Sequence, residues 1–312
     1  MNKNFTKTMA MLWAAGCLAA CGNSQQPEQQ SADSTAVETV SPSADSAVVD
    51  EPASTKVELD GVTLENGAVT VKGVRYEFAF VERGTFTMGA TPEMKDADAC
   101  EKPAHDFTFD YDYYMGKTEV TVGFWKAVTG NYPPGQEGEQ DLNKPVDNVS
   151  LEECQSFVED LNALLVAPIF RLPNETEWEY AARGGNKSKH YIYSGSNTLE
   201  EVAWNEEGNI AASGYDVATK KPNELGIYDM SGNVCEWVSD GWADDYKSAP
   251  TYDGYGVIRG GNCTSSDFYC RVSARIKEHT SEKALDRYSP LHGFRLVVVN
   301  WSQEIEDEEE GL

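Results

Sequence analysis

Arg171-Leu172-Pro173-Asn174-Glu175-Thr176-Glu177-Trp178-Glu179-Tyr180-Ala181-Ala182-Arg183-Gly184-Gly185 is the stretch on which the fold is decided. Asn174 with Glu177 three residues on has the form of a capping box, so a helix starts there. Trp178, Ala181 and Ala182 then fall inward, and the Gly184-Gly185 pair ends the helix. Trp178 and Tyr180, like Trp237 further on, are large side chains with one polar end. They suit core positions where that end finds a hydrogen bond. Arg183, Arg259 and Arg295 suit bracing of loops through carbonyls or acids. Glycine pairs permit positive φ and close backbone approach.

Working outward, the N-terminal side carries two more helix signals. Thr121 can cap a helix holding Phe124, Trp125 and Val128 that stops at Gly130. Ser150 with Glu153 forms another capping box, after which Cys154, Phe157, Leu161, Leu164 and Leu165 share one face until Pro168 forbids continuation. Residues 57 to 90 alternate apolar and polar positions (Val69, Val71, Phe78, Phe80) between Gly67, Gly73 and Gly84, which reads as short strands. Beyond residue 185, Gly, Asn, Asp and Tyr dominate and long periodic runs are few. The expectation is an α+β domain with few helices, short strands and long ordered loops, without internal repeats or a second core.

The ends differ from this middle. Lys3 and Lys7 precede an apolar run from Met9 to Ala20, too short to span a bilayer, which ends in Leu18-Ala19-Ala20-Cys21. Residues 1–20 therefore read as a lipoprotein signal peptide with Cys21 as the acylated residue. Gly22 after it, by resemblance to Gram-negative sorting rules, favours the outer membrane, facing the periplasm or the cell surface. Residues 21–58 are rich in Ser, Gln, Ala, Glu, Asp and Pro and have too little apolar surface to offset ordering entropy, so they read as an acidic tether. Residues 304–312 form an acidic tail. Of the formal charge of −27, the signal region carries +2 and tether and tail −6 each, leaving −17 on residues 59–303. Nucleic acid and anionic lipid surfaces are disfavoured as partners. The domain holds five cysteines, Cys100, Cys154, Cys235, Cys263 and Cys270, and no sequence rule fixes their pairing. Its four histidines (His105, His190, His279 and His292) show no metal-ligand spacing.

Six segments stand in order along the domain: Thr87-Met88-Gly89; Gly116-Lys117-Thr118-Glu119-Val120-Thr121; the stretch from Arg171; Pro222-Asn223-Glu224-Leu225-Gly226-Ile227-Tyr228-Asp229-Met230; Ser231-Gly232-Asn233-Val234-Cys235-Glu236-Trp237; and Arg259-Gly260-Gly261, closed by Cys270-Arg271 and Gly293-Phe294-Arg295. The series resembles the sulfatase-modifying-factor, or formylglycine-generating-enzyme, family over residues 80 to 298. The resemblance implies a variant of the C-type-lectin fold with little regular secondary structure. It also implies an oxidation of a substrate cysteine at a copper ion held by two thiolates, to which soft monovalent copper is suited.

The family's two thiolate positions fall on Ser265 and Cys270, its serine after the glycine pair on Asn262, and its tryptophan before Glu236 on Cys235. Copper is therefore disfavoured, although a shifted Cys263/Cys270 pair is an alternative. The resemblance further implies calcium, held by the side chains of Asp229 and Glu236 and the carbonyls of Gly232 and Val234. A second family calcium site, near Asn205, finds no secure match. What would remain without copper is a surface around Trp237, Asn262, Cys270 and Arg275. The sequence thus points to a lipid-anchored envelope protein whose domain binds a protein or peptide without catalysis. The alternative is a formylglycine-generating oxidase acting on sulfatases.

Overall fold

The computed structural model describes residues 57–59, 61–65, 67–165, 168–207, 213–281 and 291–299. Cys21, the acidic tail and nearly all of the tether lie outside the described residues. The first strand nevertheless starts at Val57, inside the last two positions assigned to the tether.

Four strands open the domain as an antiparallel meander: β1 (Val57–Leu59), β2 (Val62–Glu65), β3 (Ala68–Val71) and β4 (Val74–Val81). Gly73, at φ +84°, lets β3 turn directly into β4. A two-stranded ribbon follows, β5 (Thr85–Met88) with β6 (His105–Thr108). The remaining elements are β7 (Tyr113–Gly116), α1 (Val122–Thr129), α2 (Leu151–Leu165), β8 (Phe170–Arg171), α3 (Glu175–Ala182), α4 (Leu199–Val202), β9 (Cys235–Trp242), β10 (Thr251–Arg259), β11 (Arg275–His279), β12 (His292–Gly293) and β13 (Val297–Val299). The larger sheet has the order β1-β2-β3-β4-β7-β13-β8, and a four-stranded sheet has the order β11-β10-β9-β12. The C-terminal β13 thus lies between β7 and β8, closing the domain over nearly its whole length.

The local signals act as expected. Thr121 Oγ1 accepts the Phe124 amide at 3.1 Å, and Gly130 ends α1 at φ +79°. Ser150 and Glu153 bond reciprocally, as do Asn174 and Glu177. Cys154, Phe157, Leu161 and Leu165 are buried and Leu164 is half-buried.

The core has two apolar layers where one was expected. Alternation along the strands sends Tyr76, Phe78 and Val298 toward α1 and α2, and Ala79, Val81, Met115 and Val297 toward α3 and the smaller sheet. Both layers share the larger sheet, so they belong to one domain. Phe80, expected inward with Phe78, is half-exposed and lies against Tyr114 at 5.3 Å.

The helix α3 is buried all round, glutamates included. Glu175 takes a fork from Arg275 at 2.5 and 2.8 Å. Glu177 takes one from Arg171 at 2.6 and 2.7 Å. Glu179 lies between Arg183 and Arg259, at 2.7 and 2.6 Å. The three expected brace arginines thus carry acids as well as carbonyls: Arg295 grips Glu236 while donating to the carbonyls of Gly116 and Tyr228. The polar ends of the large aromatics are bonded too, Trp178 Nε1 to Glu236 at 2.8 Å and Trp237 Nε1 to the Val149 carbonyl at 2.8 Å.

Candidate functional site

The turn after β10 builds the site. Arg259 is anchored below it on Glu179 and on the Val272 and Ser273 carbonyls, and Gly260 and Gly261 turn the chain with positive φ. Asn262 then closes the turn on itself. Its backbone N–H donates to Ser265 Oγ at 3.0 Å, and its Oδ1 accepts from the Thr264 amide at 2.9 Å and from the Thr264 and Ser265 hydroxyls at 2.9 and 3.1 Å. Its Nδ2 points to Cys235 Sγ at 3.5 Å.

Above this turn lies a cleft of about 360 Å³. Asn262, Ser265, Ser266 and Tyr269 form its floor and rim, Glu206 contributes from the neighbouring loop, and Glu278 and His292 come from β11 and β12. Tyr269 is exposed, at 43%. Among the described residues no lysine or arginine lines the cleft. His292 sits 3.9 Å from Glu278, but burial outweighs that carboxylate and lowers its pKa, so the imidazole stays neutral at neutral pH. The cleft therefore offers carboxylates, hydroxyls and one aromatic rim, with a negative net charge.

The expected site residues divide. Asn262 and Ser265 face the cleft, and Cys235 reaches it. Cys263 and Cys270 do not line it; both are fully buried, in separate apolar clusters. Burial, with Asp267 and Glu206 nearby, pushes the Cys270 thiol up to about 12, and burial pushes the Cys235 thiol well up as well. Such thiols resist becoming the thiolates that copper requires. The residues present therefore do not fit copper as a bis-thiolate site. Cys263 Sγ points to the Ser213 carbonyl at 3.9 Å, Cys263 lies near enough to Cys270 to help raise that thiol, and no disulfide joins the two.

Two corrections concern the expected binding surface. Trp237 is wholly buried against α2's N-terminal turn, and Arg275 is buried in its fork with Glu175, under Trp242 and Tyr246. Glu206, Glu278, Tyr269 and His292 take their place. Sequence spacing held no signal for these, because separate loops and strands bring them together.

The expected calcium ligands also separate. Both Glu236 oxygens are occupied, Oε1 by Arg295 at 2.6 Å and Oε2 by Arg295 at 2.6 Å and Trp178 at 2.8 Å. Glu236 is thus half of a buried ion pair, where sequence reasoning had it as an open ligand. Asp229, at φ +59°, uses Oδ2 to accept the Ala218 amide at 2.7 Å, while its Oδ1 is buried with no partner among the described residues. Glu119 Oε2 is buried in the same state, and Glu119 Oε1 accepts from Asn233 at 3.1 Å. Among the described residues, no group of three or more His, Cys, Asp or Glu side chains is placed to hold a metal.

Comparison with known proteins accords with this geometry. Residues 69–299 match the sulfatase-modifying factor enzyme 1-like domain, and the chain belongs to that family. It is 34% identical over 203 residues to the chaperone protein LppX of Paenibacillus barcinonensis, covering 50% of this chain and 70% of that one. It is 32% identical over 177 residues to the formylglycine-generating enzyme of Streptomyces coelicolor, covering 49% and 52%, so it spans about half the length of that enzyme. Among solved structures, Treponema denticola variable protein 1 superposes with a TM-score of 0.62 at 25% identity, covering 80% of this chain and all of that one. The α+β fold with little regular structure is thus the formylglycine-generating-enzyme fold.

Proposed function

We propose that this domain is a non-catalytic binding module of the cell envelope that receives a polypeptide segment in the cleft above Asn262. The observation carrying this reading is the exchange at the turn: Ser265 stands where the family has a thiolate, and Cys270 is buried behind the cleft with its thiol pushed upward. The cleft keeps a concave shape but presents acceptors of hydrogen bonds. With Glu206 and Glu278 in its walls and no lining cation among the described residues, it suits a segment bearing a lysine or arginine. The likeness to a protein named a chaperone supports a binding role. Lipidation at Cys21, which would place the module on a membrane, rests on the sequence pattern, as does the outer-membrane assignment.

Calcium belongs to this proposal in altered form. Two buried carboxylates with unfilled oxygens, Asp229 Oδ1 and Glu119 Oε2, fit a hard cation better than they fit each other. The carbonyls of Gly232 and Val234 would complete the set, and Glu236 would stay with Arg295. Bound calcium would supply structural neutralisation and would raise the melting temperature, a response that Asp229→Ala removes.

The test is a fluorescence-anisotropy titration of basic and acidic peptide panels on the full chain, run beside an oxidation assay with monovalent copper, oxygen and a cysteine peptide. Saturable binding of basic peptides that weakens at least tenfold in Tyr269→Ala, with no oxidation product by mass spectrometry, is expected. Turnover would overturn the reading in favour of the oxidase.

A further inference from the structure

A second cleft, of about 250 Å³ and with no lining residue in common with the first, lies between the N-terminal turn of α2 and the β9–β10 pair. It is built by a break in strand register. Thr251 pairs with Trp242 and Gly256 with Gly241, so residues 252 to 255 of β10 have no counterpart on β9 and are pushed outward. Gly241 is required for this: a Cβ there would meet the Thr251 carbonyl oxygen at 2.0 Å. The bulge is tied back where the Thr280 amide donates to the Gly254 carbonyl at 3.1 Å. An irregularity held in place on both sides is a feature with a use.

The bulge raises two tyrosines over the cleft. Tyr252 is 76% exposed, the most open large apolar side chain among the described residues. Tyr255 packs at a tilt against His279, with centroids 4.1 Å apart. Below them lie the Asp240 carboxyl, the Gln155 amide and the Thr280 hydroxyl. Asp240 Oδ2 accepts the Glu175 amide at 2.6 Å, so only one of its two oxygens is taken by the start of α3.

The lining chemistry selects a ligand class. Among the described residues no lysine or arginine lines the cleft, which disfavours phosphates and carboxylates. The polar groups disfavour a lipid chain. The volume lies below the roughly 300 Å³ at which sites for drug-sized ligands begin, so one small ring is the natural occupant. A neutral ring with C–H faces and vicinal hydroxyls suits these groups: the C–H face on a tyrosine, the hydroxyls on the Asp240 and Glu152 carboxyls, the Gln155 amide and the Thr280 hydroxyl. We propose that this cleft is a carbohydrate subsite, holding one neutral pyranose against Tyr252 with its hydroxyls on Asp240 and Gln155. The site shares no lining residue with the Asn262 cleft.

The experiment is saturation-transfer NMR on the full chain with the methyl glycosides of glucose, galactose, mannose and N-acetylglucosamine, with methylammonium as a cationic probe. At least one glycoside should give saturable transfer in the millimolar range, concentrated on ring C–H protons. Tyr252→Ala, an exposed position whose loss leaves the fold intact, should weaken it at least tenfold, and Asp240→Asn at least threefold. Saturable transfer from none of the four, transfer unchanged in Tyr252→Ala, or stronger binding of methylammonium would each overturn the proposal.

Discussion

Glu179 is the point where the buried charge network is most exposed to a single change, and Glu179→Gln makes that quantitative. The carboxylate receives Arg183 Nε and Nη2 at 2.8 and 2.7 Å and the Gly89 amide at 2.7 Å on Oε1, and Arg259 Nη2 at 2.6 Å on Oε2. Burial pushes its pKa up, but the two guanidinium groups outweigh burial and hold it below the ordinary value. An amide of the same shape removes the charge and sets one N–H₂ donor against donors. Arg259 has no exposure, so its charge cannot turn to water. Breaking a buried pair by removing one partner costs about 3–5 kcal/mol. For a domain of this size that is a fall in Tm of roughly 6–20 °C. Glu177→Gln is the internal control on the same helix. Its partner Arg171 keeps 42% of its side chain in water, and glutamine still serves the capping box, so about 1 kcal/mol is expected. Urea denaturation of both variants at pH 7, followed by tryptophan fluorescence, gives the comparison. Since the Glu179 pKa is depressed, its contribution is present above the unfolded value and lost as pH falls through the folded one, so the gap to wild type should shrink below about pH 4. Equal losses in the two variants, or less than about 1 kcal/mol for Glu179→Gln, would refute the reasoning.

Two smaller perturbations test other parts of the fold. Asp147 is 5% exposed with Oδ2 lacking a partner among the described residues, and burial raises its pKa from 3.8 to about 7. The folded state therefore loses stability as pH rises from about 4 to 7, and Asp147→Asn should stabilise on the order of 2–4 kcal/mol at pH 8 and little at pH 4, read from pH-dependent urea midpoints. Thr121→Ala removes the cap on the Phe124 amide and should cost about 1 kcal/mol in the same assay at any pH, with glycine costing less.

The helix ends were legible because capping is local chemistry: Thr121 with Gly130, Ser150 with Glu153, and Asn174 with Glu177 each complete their bonds within a few residues. The surroundings of α3 were not. Nothing in the spacing of the glutamates at 175, 177 and 179 shows that they are buried, which they are because Arg171, Arg183, Arg259 and Arg275 meet them, two of these arginines from the far side of the chain. The partner of Glu236 was equally out of reach of spacing. A carboxylate near a glycine turn suggests a calcium ligand until Arg295 is seen to occupy both oxygens. In the cleft, Asn262 and Ser265 were found through the motif they interrupt, while Glu278 and His292 arrive from strands that no spacing connects to it.

The placement of the ion pairs explains how the family's signature can persist apart from the residues that line the cleft. Arg259–Glu179 and Arg295–Glu236 fix the turns from beneath, in the interior, where losing one partner is costly. The side chains at which the resemblance breaks, Cys235, Asn262 and Ser265, line the cleft. The order that a metal would otherwise impose on this turn is supplied by Asn262 itself, whose Oδ1 gathers the Thr264 amide and the two following hydroxyls. A turn satisfied in this way needs no ion to hold its shape. On the proposed binding role, its outer surface answers to the bound segment while the interior ion pairs maintain the fold.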